Sequence, residues 1–178
     1  MASLHIRPAQ LRRAGLRAIR LIVDRTQAGT DRHGTAFAPY STTPFALPAG
    51  GGARGALSRL EDRDEASFFQ TKEGALWAIV EGGYAAYKAE RYGQDSGQVN
   101  LTATGSMIRG LTIVDVQTAD ARASVTLGFT DPSEAEKAYY HSVSGAGKSR
   151  TIRDFMGLTD DELDTVTEDV ADGIDIDL

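Results

Sequence analysis

The string SGAGKS at Ser144–Ser149 is the part of this sequence closest to a chemical motif. In a phosphate-binding P-loop, four residues separate a first glycine from the Gly-Lys-Ser/Thr, because the backbone amides must wrap the phosphates. That glycine would have to stand at position 142, which holds Ser142, and the preceding AEKAYYH has a helical pattern where a strand is needed. We therefore expect a flexible basic loop and no nucleotide site.

Carboxylates are numerous near the C-terminus, but their spacing indicates structure rather than catalysis. Asp160–Glu162 fall in the first turn of a predicted helix, where negative charge interacts favourably with the helix dipole. Asp172, Asp175 and Asp177 lack the glycine and ligand spacing of a calcium-binding EF-hand loop. The chain has three histidines and no cysteine, which excludes thiolate metal sites and cysteine nucleophiles. We predict no enzymatic activity, no cofactor and no metal.

Charge is unevenly distributed along the 178 residues. Residues 1–25 carry a net charge of +5, residues 154–178 carry −10, and the segment between them carries −1. The two ends could therefore pair within one chain or dock one copy head to tail on another. Arg13, Arg17 and Arg20 could instead contact nucleic-acid phosphates, but the net charge of −6 favours solvation or pairing with the acidic end.

Periodicity and capping signals predict several helices and strands. An amphipathic helix is expected over residues 8–27, and a second helix over residues 76–92 with a break at Gly82-Gly83. Residues 112–117 and 123–129 alternate as the two strands of a hairpin, with Val114 and Val116 on one face. Further elements are a short strand at residues 99–103, a helix from Pro132 to about His141 after the cap Asp131, and a helix from the capping box Thr159–Glu162 to Gly173.

These elements predict an α+β fold in which a small antiparallel sheet is covered by the N-terminal amphipathic helix and further helices. We expect a single domain over residues 1–171, with a flexible glycine-rich loop near residues 49–55 and an acidic C-terminal tail at residues 172–178. No apolar run approaches the roughly 18 residues of a membrane helix.

Three motifs follow one another along most of the chain. GTDRHGTAFAPYS (Gly29–Ser41) resembles the pattern G.D..G..F.P.S, and LTATGSMIRGLTI (Leu101–Ile113) looks like L..TG.M..SL.V, with Gly110 in place of the usual serine. The third, Ala138–Leu163, is similar to A..H..G......R.F.GL...D/E. In this order they resemble the phage virion morphogenesis proteins, also called tail-completion proteins. The glycine-rich insertion near residues 50–55 and the acidic end after residue 170 depart from that family.

The resemblance implies a structural virion protein of the phage neck, which completes the tail end and joins the tail tube to the head connector. It implies a homo-oligomeric ring, a hexamer or a similar one, with the tail tube or tail terminator protein and the head connector proteins as partners. DNA would pass through the channel without sequence-specific binding, and no membrane would be involved. The protein would reside in the virion neck or tail, and in the host cytoplasm before assembly.

Eight residues of the motifs are candidate interface or fold-stabilising positions. Gly34 and Gly105 would allow tight turns. Arg153, Phe155 and Gly157 would form an anchor that consists of a fixed cation, an aromatic plug and a glycine that permits a close approach. The alternative function, a nucleic-acid-binding module that uses the basic N-terminal helix, stays open. The eight residues are Gly34, Pro39, Tyr40, Thr104, Gly105, Arg153, Phe155 and Gly157.

Overall fold

A computed structural model describes residues 3–93, 99–119, 122–171 and 175–177. It has the predicted α+β fold, with short antiparallel sheets and an N-terminal helix. The elements in chain order are β1 (Ser3–His5), α1 (Pro8–Gln27), β2 (Phe45–Pro48), α2 (Arg54–Glu61), β3 (Ala66–Gln70), β4 (Leu76–Val80), α3 (Gly83–Tyr92), α4 (Ser106–Gly110), β5 (Leu111–Ala119), β6 (Arg122–Phe129), α5 (Pro132–Tyr139), α6 (Asp160–Ala171) and β7 (Asp175–Asp177). A 3-10 helix at Gly51–Ala53 precedes α2, and a π-helix at Tyr140–Ser144 follows α5.

The chain forms two compact units. The first comprises Met1–Phe37 with Asn100–Leu178, and the second comprises Ala38–Val99. Two compact units can still belong to one cooperatively folding domain, so the single domain over residues 1–171 stays a prediction. No helix in the described ranges is long and apolar enough to cross a membrane.

In the first unit, α1 packs on the hairpin of β5 and β6. The predicted helix and its buried apolar stripe are both confirmed. Gly15 lies at the closest approach, because a Cβ there would be 2.8 Å from Val125 Cγ2 and 2.9 Å from Ile113 Cδ1. The helix backbone can therefore lie directly on the sheet at this point.

The predicted hairpin is confirmed, but one of its faces is not as expected. A β-bulge lies between Ile113 and Asp115, so that Val116 stands opposite Val125 while Val114 is exposed. A bulge inserts one extra residue and changes the face of every side chain that follows it. The prediction that Val114 and Val116 share a face is therefore wrong.

The capping signals in the first unit are confirmed. The Asp131 carboxylate accepts a hydrogen bond from the Ser133 amide at 2.8 Å and caps α5, and this bond lowers the pKa of that carboxyl. Thr159 and Glu162 form the reciprocal capping box of α6, at 2.8 and 3.2 Å. Gly173, the predicted end of α6, lies outside the described residues.

The C-terminal segment is more than a tail. Asp175–Asp177 pair antiparallel with Ser3–His5, with Leu4 opposite Ile176. Strand pairing uses backbone hydrogen bonds, which an extended segment of almost any composition can make. The acidic side chains of this segment therefore did not indicate a strand.

The second unit contains the antiparallel sheet β2–β4–β3, with α2 and α3 packed against it. Its core includes the fully buried Leu57, Leu60 and Val80. Leu76–Val80 is a strand of this sheet, so the helix predicted over residues 76–92 is wrong in its first part. The apolar run LWAIV shows no period by which a buried strand could be distinguished from a helix.

Two further predictions in the sequence are corrected by the structure. The expected loop at residues 49–55 instead contains the 3-10 helix and the start of α2, because Ala49 and Ala53 are buried in the core of the second unit. The expected strand at residues 99–103 is absent from the described residues. Its central Leu101 has φ +50°, and the Asn100 side chain accepts a bond from the Thr102 amide at 3.0 Å, so this segment turns.

Candidate functional site

The candidate site of the first unit is built around Arg25, in the last turn of α1. One guanidinium nitrogen of Arg25 donates to the carbonyl oxygens of Phe155 and Gly157, each at 2.8 Å, and another pairs with the carboxylate of Glu162. The Arg25 side chain is only 8% exposed and that of Glu162 only 14%. Hydrogen bonds to a buried charged group are stronger than neutral ones, so this arginine fixes the segment before α6 onto α1.

A second connection joins the loop after α1 to the same segment. The Arg32 amide donates to the Asp154 carbonyl at 2.9 Å, and Arg32 Nε lies 2.9 Å from an Asp154 carboxylate oxygen. Gly157 follows with φ +127°, and a Cβ there would be 3.0 Å from Arg32 Cδ. Gly157 therefore serves two purposes, an unusual backbone conformation and a close approach to Arg32. We refer to this contact set of Arg25, Arg32, Asp154, Gly157 and Glu162 as the arginine junction.

The loop that carries Arg32 is held by its own turn. The Asp31 carboxylate accepts bonds from the amides of His33 and Thr35, at 2.8 and 2.9 Å. Gly34 has φ +75° and no atom within 4 Å of a hypothetical Cβ, so its role is conformational. This outcome agrees with the tight turn predicted at Gly34.

Phe155 and Arg153 lie inside the first unit. The Phe155 ring has no exposed surface, and Arg153 is 6% exposed, with its amide donating to the His141 carbonyl at 2.7 Å. Buried positions of this kind agree with the interpretation that these residues stabilise the fold. Direct contact with a partner would require the ring of Phe155 to leave the core.

Thr104 and Gly105 form the turn that begins α4. Gly105 has φ +78°, and the Thr104 carbonyl accepts a bond from the Arg109 guanidinium at 2.9 Å. Helix α4 then packs on α5. A Cβ at Gly110 would lie 3.5 Å from Phe129 Cδ1 and 3.7 Å from Glu134 Cβ, which is ordinary contact, so a serine would fit at this position.

Pro39 and Tyr40 belong to the second unit, so the structure does not bring all eight predicted residues into one site. Tyr40 is 8% exposed, its hydroxyl bonds to the buried ammonium of Lys88, and that ammonium lies 4.0 Å from the Tyr40 ring centre. Its ring also packs edge-on against Tyr84, with the ring centres 5.4 Å apart. Tyr40 is thus a core residue of the second unit.

The SGAGKS segment is a tight loop rather than a phosphate cradle. Ala146 and Thr151 exchange backbone hydrogen bonds at 2.9 and 3.1 Å, and the chain enters the loop from the π-helix rather than from a strand. A Cβ at Gly145 would be 2.2 Å from the Arg150 carbonyl oxygen, so this glycine is required by the turn. The loop leaves Lys148 and Arg150 exposed.

The charged chain ends pair within the molecule. Helix α6 packs on α1, Arg17 lies 3.8 Å from Asp169, and Arg25 pairs with Glu162. Arg20 lies 3.6 Å from Asp24 on its own helix. Of the two possibilities left open by the sequence, pairing within one chain is therefore present.

Sequence reasoning missed Arg25 as a central residue. Its partners lie 130 and more positions along the chain, and no local pattern predicts which of six N-terminal arginines will be buried. It also missed a set of exposed apolar residues after α5, for which the pair Tyr139-Tyr140 was an available signal. Within the described ranges, no group of three or more histidine, aspartate or glutamate side chains could hold a metal ion.

An open cleft of about 580 Å³ lies beside the arginine junction. Its lining is mostly polar and comes from the loop after α1 and from the start of α6. The lining residues are Arg32, His33, Gly34, Leu158, Thr159, Asp160 and Asp161.

No protein-family model, no curated protein and no solved structure matches this chain.

Proposed function

We propose that this chain is a structural protein of the phage neck, which completes the tail end and joins the tail tube to the head connector as an oligomeric ring. The observation that supports the proposal is the meeting of motifs that are distant in sequence. Arg32 of the first motif binds Asp154 of the third, through one backbone bond and one ion pair, each at 2.9 Å.

The second motif joins the same unit. Its helix α4 packs on α5, whose buried Ala138 opens the third motif. Apart from Ala38–Ser41, which belong to the second unit, the three motifs thus form parts of one compact unit. A shared ancestor with the tail-completion proteins would retain these residues together, because the contacts between them stabilise one body.

The arginine junction suits a protein whose work is mechanical. Arg25 binds two carbonyl groups and a carboxylate at once, in a setting where little water competes for its charge. These contacts hold the segment before α6, and the first turn of α6, on the last turn of α1. The net charge of −6 suits a channel for DNA, because a strongly basic lining would bind the phosphates and retain the duplex.

The test is to inactivate the gene in the phage that encodes it and to image the lysate by electron microscopy. The proposal predicts DNA-filled heads and finished tails that remain unjoined, and joining on addition of the purified protein. Normal virions in that lysate would contradict the proposal.

The nucleic-acid alternative has its own outcome. A module that uses the N-terminal helix would be retained on duplex DNA at about 150 mM salt, and the combined replacement of Arg13, Arg17 and Arg20 by glutamine would release it. The neck proposal predicts no such retention, because two of these arginines already face carboxylates of the same chain.

A further inference from the structure

A group of large apolar side chains is exposed on the first unit, just after α5. Tyr139, Tyr140, Val143 and Ile152 are 46–59% exposed, and the two tyrosine rings lie 6.1 Å apart. Val143 follows Tyr139 by four residues and so lies on the same side of the helical segment. Ile152 is brought alongside by its neighbours, since Thr151 pairs with Ala146 and Arg153 binds His141. We call these four residues the tyrosine patch.

The tyrosine patch has a positive edge. Lys148 and Arg150 stand exposed in the loop that leads to Ile152, and neither makes an ion pair with any described residue. Lys137, on α5 itself, is already paired with Glu134 at 2.9 Å. Tyrosine and arginine are enriched at protein–protein interfaces, so the two tyrosines and Arg150 are residue types that suit a protein-binding surface.

A surface of opposite charge lies on α6. Five residues at positions i, i+3, i+4, i+7 and i+8 share one face of this helix, and all five are exposed. Leu163 lies among them and is 52% exposed, while the three carboxylates of the face make no ion pair within the described ranges. We call this surface the acidic face of α6; it consists of Asp160, Leu163, Asp164, Thr167 and Glu168.

We propose that the tyrosine patch of one copy docks on the acidic face of α6 of a second copy. The two surfaces are complementary, because each exposes apolar side chains and the unpaired cations at the edge of the tyrosine patch, Lys148 and Arg150, are opposite in sign to the unpaired carboxylates of α6. The residues of both surfaces are exposed in the single chain, so the two surfaces do not cover each other within one molecule. The contact joins two different surfaces, and contacts of this kind produce rings or open filaments.

This inference deepens the proposed function and rests on it only for the closure of the contact into a ring. The N-terminal helix is a less suitable partner for the acidic face, because Arg17 and Arg20 already lie near Asp169 and Asp24. Lys148 and Arg150, at the edge of the tyrosine patch, make no ion pair with a described residue and so remain available to the acidic face.

Charge reversal with rescue tests the contact in purified protein. One variant combines Lys148→Glu with Arg150→Glu, and the other combines Asp164→Lys with Glu168→Lys. The second pair avoids the first turn of α6, so that the capping box is preserved. Association of each is measured by sedimentation velocity over a range of protein concentration, and thermal melting confirms that each variant is folded.

We expect wild type to associate in a concentration-dependent manner and each variant alone to associate at least about tenfold more weakly, because like charges then face one another. An equimolar mixture of the two variants should regain association, since each contact between two unlike variants again joins opposite charges, while contacts between like variants stay weakened. The matched control, Arg13→Glu with Arg20→Glu, reverses two charges on α1 and should stay within about twofold of wild type.

A wild type that stays monomeric at every concentration would overturn the proposal. So would variants that associate like wild type, a mixture that fails to associate, or a control that is weakened as much as the first variant. The experiment uses only the purified protein. A negative result would therefore refute the contact between copies but would say nothing about the joining of heads to tails, which the gene-inactivation experiment tests separately. Normal association together with normal virions in the gene-inactivated lysate would instead refute the neck function alone.

Discussion

Replacing Arg25 by methionine removes the charged group that joins α1 to the segment before α6. The carbonyls of Phe155 and Gly157 then lose their shared donor, and the Glu162 carboxylate, 14% exposed, loses its cation. Removal of one partner from a buried ion pair costs about 3–5 kcal/mol, mostly because the other charge remains buried and unpaired. Methionine retains much of the apolar stem, so this cost reports on the polar contacts.

The assay is equilibrium unfolding in urea, followed by far-ultraviolet circular dichroism. The control is Arg20→Met, which removes an exposed ion pair with Asp24 on the same helix and should cost about 0.5 kcal/mol or less. Adding Glu162→Gln to Arg25→Met should cost less than the sum of the single changes, because the unpaired charge is then gone. A cost for Arg25→Met no larger than for Arg20→Met would refute the role given to the arginine junction.

Three further predictions concern stability and are measured in the same way. Gly83→Ala should destabilise the second unit more than Gly93→Ala does. Both glycines have positive φ, so alanine at either costs about 1–2 kcal/mol of stability, but only at Gly83 would the new Cβ lie 2.5 Å from a backbone oxygen. Equal losses of stability would contradict this prediction. Phe155→Ala should cost roughly 3–5 kcal/mol, because its ring is fully buried, and a cost below about 1 kcal/mol would place the ring outside the core. The bond from the Ser133 amide lowers the pKa of Asp131, so the Asp131 carboxylate stabilises the fold above the ordinary pKa of aspartate, and this contribution is lost as the pH falls through the lowered value. The Asp131→Ser variant should therefore lose less stability than wild type over that acid range. Identical dependence of stability on pH in the two proteins would contradict the role of Asp131 as a cap.

Elements with local signals were predictable from the sequence. Pro8 suits the start of α1 because its φ is fixed and it has no amide hydrogen to satisfy, and Asp131 before α5 accepts a bond from an amide two residues on. Thr159 before α6 and Glu162 in its first turn each bond the backbone amide of the other. The hairpin was predictable from its alternation, but its bulge was not, because nothing in the alternation of Val114 and Val116 shows an extra residue.

The second unit was poorly predicted because its signals are ambiguous or tertiary. Leu76–Val80 is apolar at every position, so its pairing with β2 and β3 could not be inferred from a period. The glycine-rich 3-10 helix and the start of α2 are helical despite their composition, since Ala53, Leu57 and Leu60 are buried. Tertiary burial here outweighs an unfavourable local propensity.

The candidate site was predicted in part. The turn glycines Gly34 and Gly105 have the positive φ angles that the sequence required of them, and Gly157 makes the close approach assigned to it. Arg25 could not be found, because a contact across 130 residues leaves no trace in a single sequence. Tyr40 was grouped with the site by its motif, but it belongs to the core of the second unit.

The position of the protein in the virion tests the neck proposal most directly. A gold label that recognises a tag on this chain can be located on purified virions by electron microscopy, with untagged virions as the control. The proposal predicts label at the junction between head and tail and none along the tail or over the head. Virions without label, or label away from that junction, would contradict it.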